Sequence, residues 1–358
     1  MDVFGVSPDS IAEIERCFGD AARVYAFATS AGDPQLAREL EEKLEKRIKE
    51  AGGFETVEIT VVHSFEPNAP AHLTFNITLA SKKPAVEYLP EPKDEVQDPD
   101  GLLASWKEYE KLGKMLDFAG EIPDFPACPV HHCLFGFDHL KLRAFGEKFS
   151  RLVPVDRDAL IKVLQTDKDE KDRAAAAYLL AHLHGAQDVL SALLPRLRDP
   201  DARVRNSILR VVAIMAEHGE ANTVDIEPIL PFLVSQSLTD RNKAVSIVAA
   251  LAGNRSRRKL LMQRSGCDLV RLLETEQPNQ SLYAHEALVK LHDTDLGAKS
   301  PALWRRWLKS QGVVCQAEPR IGEGKLCPVQ RRREKGPSSS VDSPLSSGRQ
   351  SGSLLPGE

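Results

Sequence analysis

Asp167-Lys168-Asp169-Glu170-Lys171-Asp172-Arg173 is followed 32 positions later by Asp199-Pro200-Asp201-Ala202-Arg203-Val204-Arg205. In each stretch two aspartates frame a turn, and an arginine follows four residues after the second of them. Small or apolar residues come next: Ala174, Ala175, Ala176 and Ala177 in the first copy, Val204, Ile208, Val211 and Met215 at helical spacing in the second. A looser third copy starts at Asp240-Arg241-Asn242-Lys243, and a fourth, from Gln280 to Val289, keeps only the helix. Helical hairpins recurring about every 32–38 residues between Val155 and Gly312 stack side by side. They build an extended surface on a shared apolar spine rather than a closed catalytic pocket.

This pattern resembles the HEAT-repeat family of α-solenoids, over less than half of the chain. The resemblance rests on the turn Asp-x-Asp-x-x-Val-Arg, complete at Asp199, Asp201, Val204 and Arg205. The fold expected is mainly α: a solenoid of about four helix pairs behind a small N-terminal α/β unit. The chemistry of the turn is intelligible by itself. Asp199 or Asp201 can accept from the free N–H groups at a helix start. Arg173 and Arg205 near that start are tolerable if aspartates of neighbouring repeats interleave with them, so Asp169, Arg173, Asp201 and Arg205 are read as a structural ladder. His184-Gly185 and His218-Gly219 are read as second-helix ends, with glycine in the left-handed conformation. In the family, second helices line the concave face; Tyr178, Asn206, Arg210 and Glu217 should point there by helical spacing and are the candidate partner-binding residues. Trp304 and Trp307 share a face on a final helix that closes the stack.

Four segments follow: 1–83, a small α/β domain; 84–154, an acidic Pro-rich linker, an amphipathic helix and a Cys/His segment; 155–312, the repeats; and 313–358, a disordered tail. Within the first, Ile11, Ile14 and Phe18 mark a short helix stopped by Gly19. Arg23 to Thr29 reads as a strand, and Leu36, Leu40, Leu44 and Ile48 as the apolar stripe of a helix opened by Asp33-Pro34 and ended by Gly52-Gly53. Val57, Ile59 and Val61, then Leu73, Phe75, Ile77 and Leu79, alternate as two strands, with Thr74, Asn76 and Thr78 on a wet face. The order is β-α-β-β, its first crossover right-handed and its last pair antiparallel. Pro84, Pro90, Pro92 and Pro99 among acidic residues make a linker or an extended strap.

The chain carries a formal net charge of −5. Acidic residues are concentrated before residue 150 and the repeats are only slightly basic, which argues against a nucleic-acid role. No run of about 18 apolar residues exists, so no membrane span is expected. Residues 1–10 lack the basic and apolar regions of a signal peptide. Six cysteines are too sparse for a disulfide scaffold and read as reduced thiols, which places the protein in the cytoplasm.

Cys128, His132, Cys133 and His139 form the one dense Cys/His cluster and are the candidate zinc ligands, set against a connecting segment with buried cysteines or a short-loop disulfide. No other cofactor is expected. Neither a nucleophile with its base nor a Gly-rich phosphate loop is present. Asn76-Ile77-Thr78 matches a glycosylation sequon but lies inside a strand. The leading function is therefore a non-enzymatic scaffold for a protein partner. The alternatives are a glycosylase-type enzyme of HEAT-like helices acting on DNA, with Arg255, Arg257, Arg258 and Lys259 as its basic cluster, or a bilin-lyase-like HEAT protein.

Overall fold

The computed structural model describes residues 1–30, 32–64, 72–80, 86–123, 126–219 and 223–316. From residue 317 on, the tail expected to be disordered lies outside them. The molecule is mainly helical, with a three-stranded sheet at its N-terminal end.

Strand β1 is Asp2–Phe4, and helix α1 runs without a break from Pro8–Ser30. The expected strand at Arg23 to Thr29 is thus helical. Ile14, Phe18, Ala22, Tyr25 and Ala28 are all buried at three- to four-residue intervals, a helical period that outweighs the local strand preference. Gly19 is carried inside the helix. Helix α2 (Pro34–Gly52) is capped by Asp33, whose carboxylate accepts from the Leu36 N–H at 3.0 Å, and ends on left-handed Gly53. Strands β2 (Thr56–Ser64) and β3 (His72–Ala80) pair antiparallel, with Ile59 opposite Ile77 and Val61 opposite Phe75. Strand β1 joins the other edge of β3 in parallel, giving the order β1-β3-β2 and an element order of β-α-α-β-β rather than β-α-β-β. Gly5 follows β1 at φ 99°, where a Cβ would meet the Leu79 carbonyl oxygen at 2.1 Å.

One face of the sheet packs Val3, Ile59, Phe75, Ile77 and Leu79 against α1 and α2. The other face, expected to be wet, is buried against the repeats. Thr74, Asn76 and Thr78 are buried, and the Thr78 hydroxyl accepts from Arg241 at 3.0 Å. Phe4 joins the repeat core and lies under the Arg241 guanidinium, 4.0 Å from the ring centroid. Asn76 donates to the Thr60 and Thr74 carbonyls, so the sequon is internal.

Residues 86–98 form the extended strap. The Leu89 N–H donates to the Arg198 carbonyl, the Asp94 N–H to that of Thr166, and the Lys168 N–H back to Asp94. The strap therefore runs over the turns that precede the second helices. Helix α3 (Leu102–Phe118) then lays Trp106 and Tyr109 into an aromatic cluster with Phe137 and with Phe149 of α4 (Leu140–Leu152).

The repeats follow as helix pairs: α5 (Arg157–Thr166) with α6 (Glu170–Leu179), α7 (Ala186–Leu193) with α8 (Ala202–Glu217), the short turn Leu230–Val234 with α9 (Leu238–Leu251), and α10 (Arg255–Leu273) with α11 (Pro278–His292). Second helices α6, α8, α9 and α11 pack in that order, and one continuous apolar core runs through the stack. Helix α12 (Pro301–Ser310) seals the end with fully buried Trp304, whose indole N–H donates to the Gly297 carbonyl at 3.0 Å. Gly219 has a positive φ as expected, whereas Gly185 has φ −98° and instead precedes α7 as its N-cap.

The cysteines correct the reduced-thiol expectation. Cys128 is bonded to Cys133, and Cys267 on α10 to Cys315 beyond α12. The first pair is the short-loop disulfide weighed for that segment; the second was hidden because its members are 48 residues apart in sequence.

Candidate protein-interaction surface

The turn aspartates divide their labour. Asp169 and Asp201 are N-caps, accepting from the Lys171 and Arg203 N–H groups at 2.8 Å each. They are not the rungs expected of them. The rungs are Arg173 to Asp199, through two hydrogen bonds of 2.9 and 3.0 Å, and Arg205 to Asp240 at 2.9 and 3.2 Å. Nη1 of each arginine donates to carbonyls five and six residues back: Asp167 and Lys168 for Arg173, Asp199 and Pro200 for Arg205. Arg241 repeats this with Ser235 and Gln236. In the third turn Ser235 stands where Asp199 stands in the second, so Asp240, next to Arg241, supplies the carboxylate. Arg241 has its acids from the N-terminal unit: the charges of Glu58 and Asp2 reach it and oppose the burial that pulls its pKa down to about 10. The ladder is thus closed from within the chain. The strap covers it, with Tyr88 stacked on Arg205 at 3.9 Å and donating to Asp240 at 3.3 Å.

The candidate zinc ligands do not come together. Cys128 and Cys133 spend their sulfurs on each other. His139 caps α4, its Nδ1 accepting from the Lys141 N–H, and its Nε2 meets Glu121 at 3.2 Å. His132 is 5% exposed against the Tyr178 ring. Among the described residues no three His, Cys, Asp or Glu side chains form a group that could hold a metal ion.

Of the four candidate partner contacts, Tyr178 is covered. It is 8% exposed, stacked under Trp106 with ring centroids 5.1 Å apart and planes at 18°. Helix α3 closes this first part of the second-helix face, a long-range contact that helical spacing could not reveal. Asn206 and Arg210 are half-buried and Glu217 is exposed, on one face of α8. Asn242 and Lys243 of α9 and Tyr283 and Glu286 of α11 extend the band. Their charges interact along it: Arg210 on Lys243, Glu217 on Lys243, and Glu217 and Glu286 on Tyr283. Burial lowers the Lys243 pKa, and Arg210 lowers it further. Lys243 was missed because the third turn departs from the motif, although its place two residues after Arg241 matches Ser207 after Arg205.

His132 and His182 are buried without acid partners, and burial pushes both down to about 3. Unfolded, they ionise near pH 6.5. Between these values only the unfolded chain binds the protons, so their contribution is complete above about pH 6.5 and is lost as pH falls toward about 3. Each histidine costs about 1.4 kcal/mol per pH unit in that window. The carboxyls of Asp2 and Glu58, raised by burial, act in the opposite sense at the acid end. We expect urea midpoints to fall from pH 7.5 to pH 5, and less steeply in His182→Phe, which suits the ring cluster of Phe137 and Phe149. Equal slopes in wild type and variant would contradict this.

Residues 157–252 match the family model for HEAT repeats. This segment is a HEAT-repeat array. No curated protein matches the chain. The HEAT array accounts for the arginine rungs, the N-capping aspartates and the side-by-side second helices. It does not include the N-terminal sheet, the strap or α12. The basic run at the start of α10 is partly engaged in the fold: Arg257 donates to the Val224 carbonyl at 2.6 Å, and Arg258 bonds to Asp293. No helix of the described residues is long and apolar enough to cross a membrane.

Proposed function

We propose that this protein is a non-enzymatic interaction protein that holds a protein partner on the second-helix face of α8, α9 and α11. The observation that carries the reading is the division of the array's surface. The turn edge is occupied by the chain's own strap, α6 is covered by α3, and the sheet packs on Arg241. Among the described residues, the polar band from Asn206 and Arg210 through Lys243 to Glu217 and Tyr283 is left open. HEAT arrays commonly mediate protein contacts, and stacked repeats favour extended recognition over chemistry in a pocket. The paired cysteines favour work in an oxidising compartment over the cytoplasm expected from their number.

The test is affinity capture from native lysate with the full chain. We expect Asn206→Trp to abolish recovery of the partner, while Gln187→Trp on exposed α7 leaves it unchanged. Equal recovery by both variants would overturn the reading.

A further inference from the structure

Resting on that reading of the second-helix face, we propose that Arg210 and Lys243 form a receptor for a carboxylate, the side chain of an acidic residue on the protein partner. Half-buried cations elsewhere in the array are matched: Arg196 by Asp199, Arg258 by Asp293, Arg271 by Asp268 and Lys290 by Glu286. The side chains of Arg210 and Lys243 have no hydrogen bond or ion pair among the described residues, and the Arg210 Nε is sealed from solvent without an acceptor. They sit on adjacent, closely packed helices. The charges of both reach His132, whose Nδ1 is buried and has no hydrogen bond among the described residues.

Two neighbouring cations, partly desolvated and with no counter-ion, are costly to keep in a folded chain. A visiting anion would supply the missing charge and accept the idle donors. Glu217 does not fill this role, because its charge reaches Lys243 without forming an ion pair.

The charge count selects the anion. His132 is neutral at physiological pH and adds no charge, while Glu217 subtracts one. Two cations against one acid suit a monoanionic carboxylate better than a dianionic phosphate. Both cations also stand within their helices, away from the N-terminal N–H groups that commonly cradle phosphate. The chain already shows the same preference toward itself: acidic residues of the strap meet cations of the turns, Glu95 with Lys168 at 2.7 Å and Glu91 with Arg173 at 4.0 Å.

The probe is a fluorescein-labelled peptide of alternating glutamate and serine, titrated with the full chain at low ionic strength by fluorescence anisotropy. We expect saturable binding, about tenfold weaker for the glutamine counterpart and about tenfold weaker in the double variant Arg210→Gln/Lys243→Gln. Glu217→Gln should bind no less tightly, and inorganic phosphate should not displace the peptide. The thermal midpoint of the double variant should lie at or above that of wild type, because a repulsion has been removed. Absence of saturable binding, equal binding of the glutamine peptide, undiminished affinity or a lowered midpoint in the double variant, weaker binding by Glu217→Gln, or displacement by phosphate would each overturn the proposal. Partner capture that survives Arg210→Gln/Lys243→Gln but is lost in Asn206→Trp would leave the surface reading standing and remove the carboxylate.

Discussion

Arg205→Ala should lower the unfolding free energy by about 3–5 kcal/mol. The side chain is nearly inaccessible, and its removal leaves Asp240 hydrogen-bonded only to the hydroxyls of Ser235 and Tyr88 among the described residues. The carbonyls of Asp199 and Pro200 lose a donor at the same time. A buried carboxylate without its cation costs more than the intact pair contributes. Arg205→Met/Asp240→Leu should therefore recover much of the loss, since neither charge remains. A double-mutant cycle by urea denaturation measures this coupling. A change within about 1 kcal/mol in the single variant would show that the rung does not hold the second and third repeats together.

Arg241→Ala should have a comparable effect, about 3–5 kcal/mol, with a different signature. Arg241 is fully buried between the array and the sheet. It donates to Ser235 and Gln236 on one side and to Thr78 on the other, and its guanidinium lies over Phe4. Without it, Asp2 and Glu58 lose the cation that acts on them most strongly, while Asp240 keeps Arg205. Lysine cannot replace it, because a single ammonium cannot reproduce the fork of donors. We expect one cooperative unfolding transition in wild type and two in Arg241→Ala, as the α/β unit loses its hold on the array. A single transition with an unchanged midpoint would contradict the account of this interface.

The arginine rungs were legible because the Asp-x-Asp spacing fixes both a cap and an arginine one turn into the helix. Which aspartate serves which arginine was not, because Arg205 reaches into the next repeat, where Ser235 has displaced the carboxylate to Asp240. The closing helix was legible from Trp304 and Trp307 sharing one face. The first helix was misread because Arg23 to Thr29 mixes strand-favouring Val24, Tyr25 and Phe27 with alanines, and only the run back to Ile14 shows the helical period. The face bearing Thr74, Asn76 and Thr78 looked solvated because polar side chains that meet an array and those that meet water are the same residue types. Tyr178 looked available because Trp106, which covers it, comes from a helix 72 positions earlier. The local pattern thus told which faces exist, and the long-range contacts decided which remain open.

The open band on α8, α9 and α11 is the proposed seat of a protein partner. A photo-crosslinking residue placed at exposed Glu217, compared with one at exposed Gln187, tests it most directly in native lysate. We expect a discrete protein adduct from position 217 and none from position 187. Adducts of equal yield at both positions, an adduct only at 187, or a nucleic-acid adduct at 217 would contradict it.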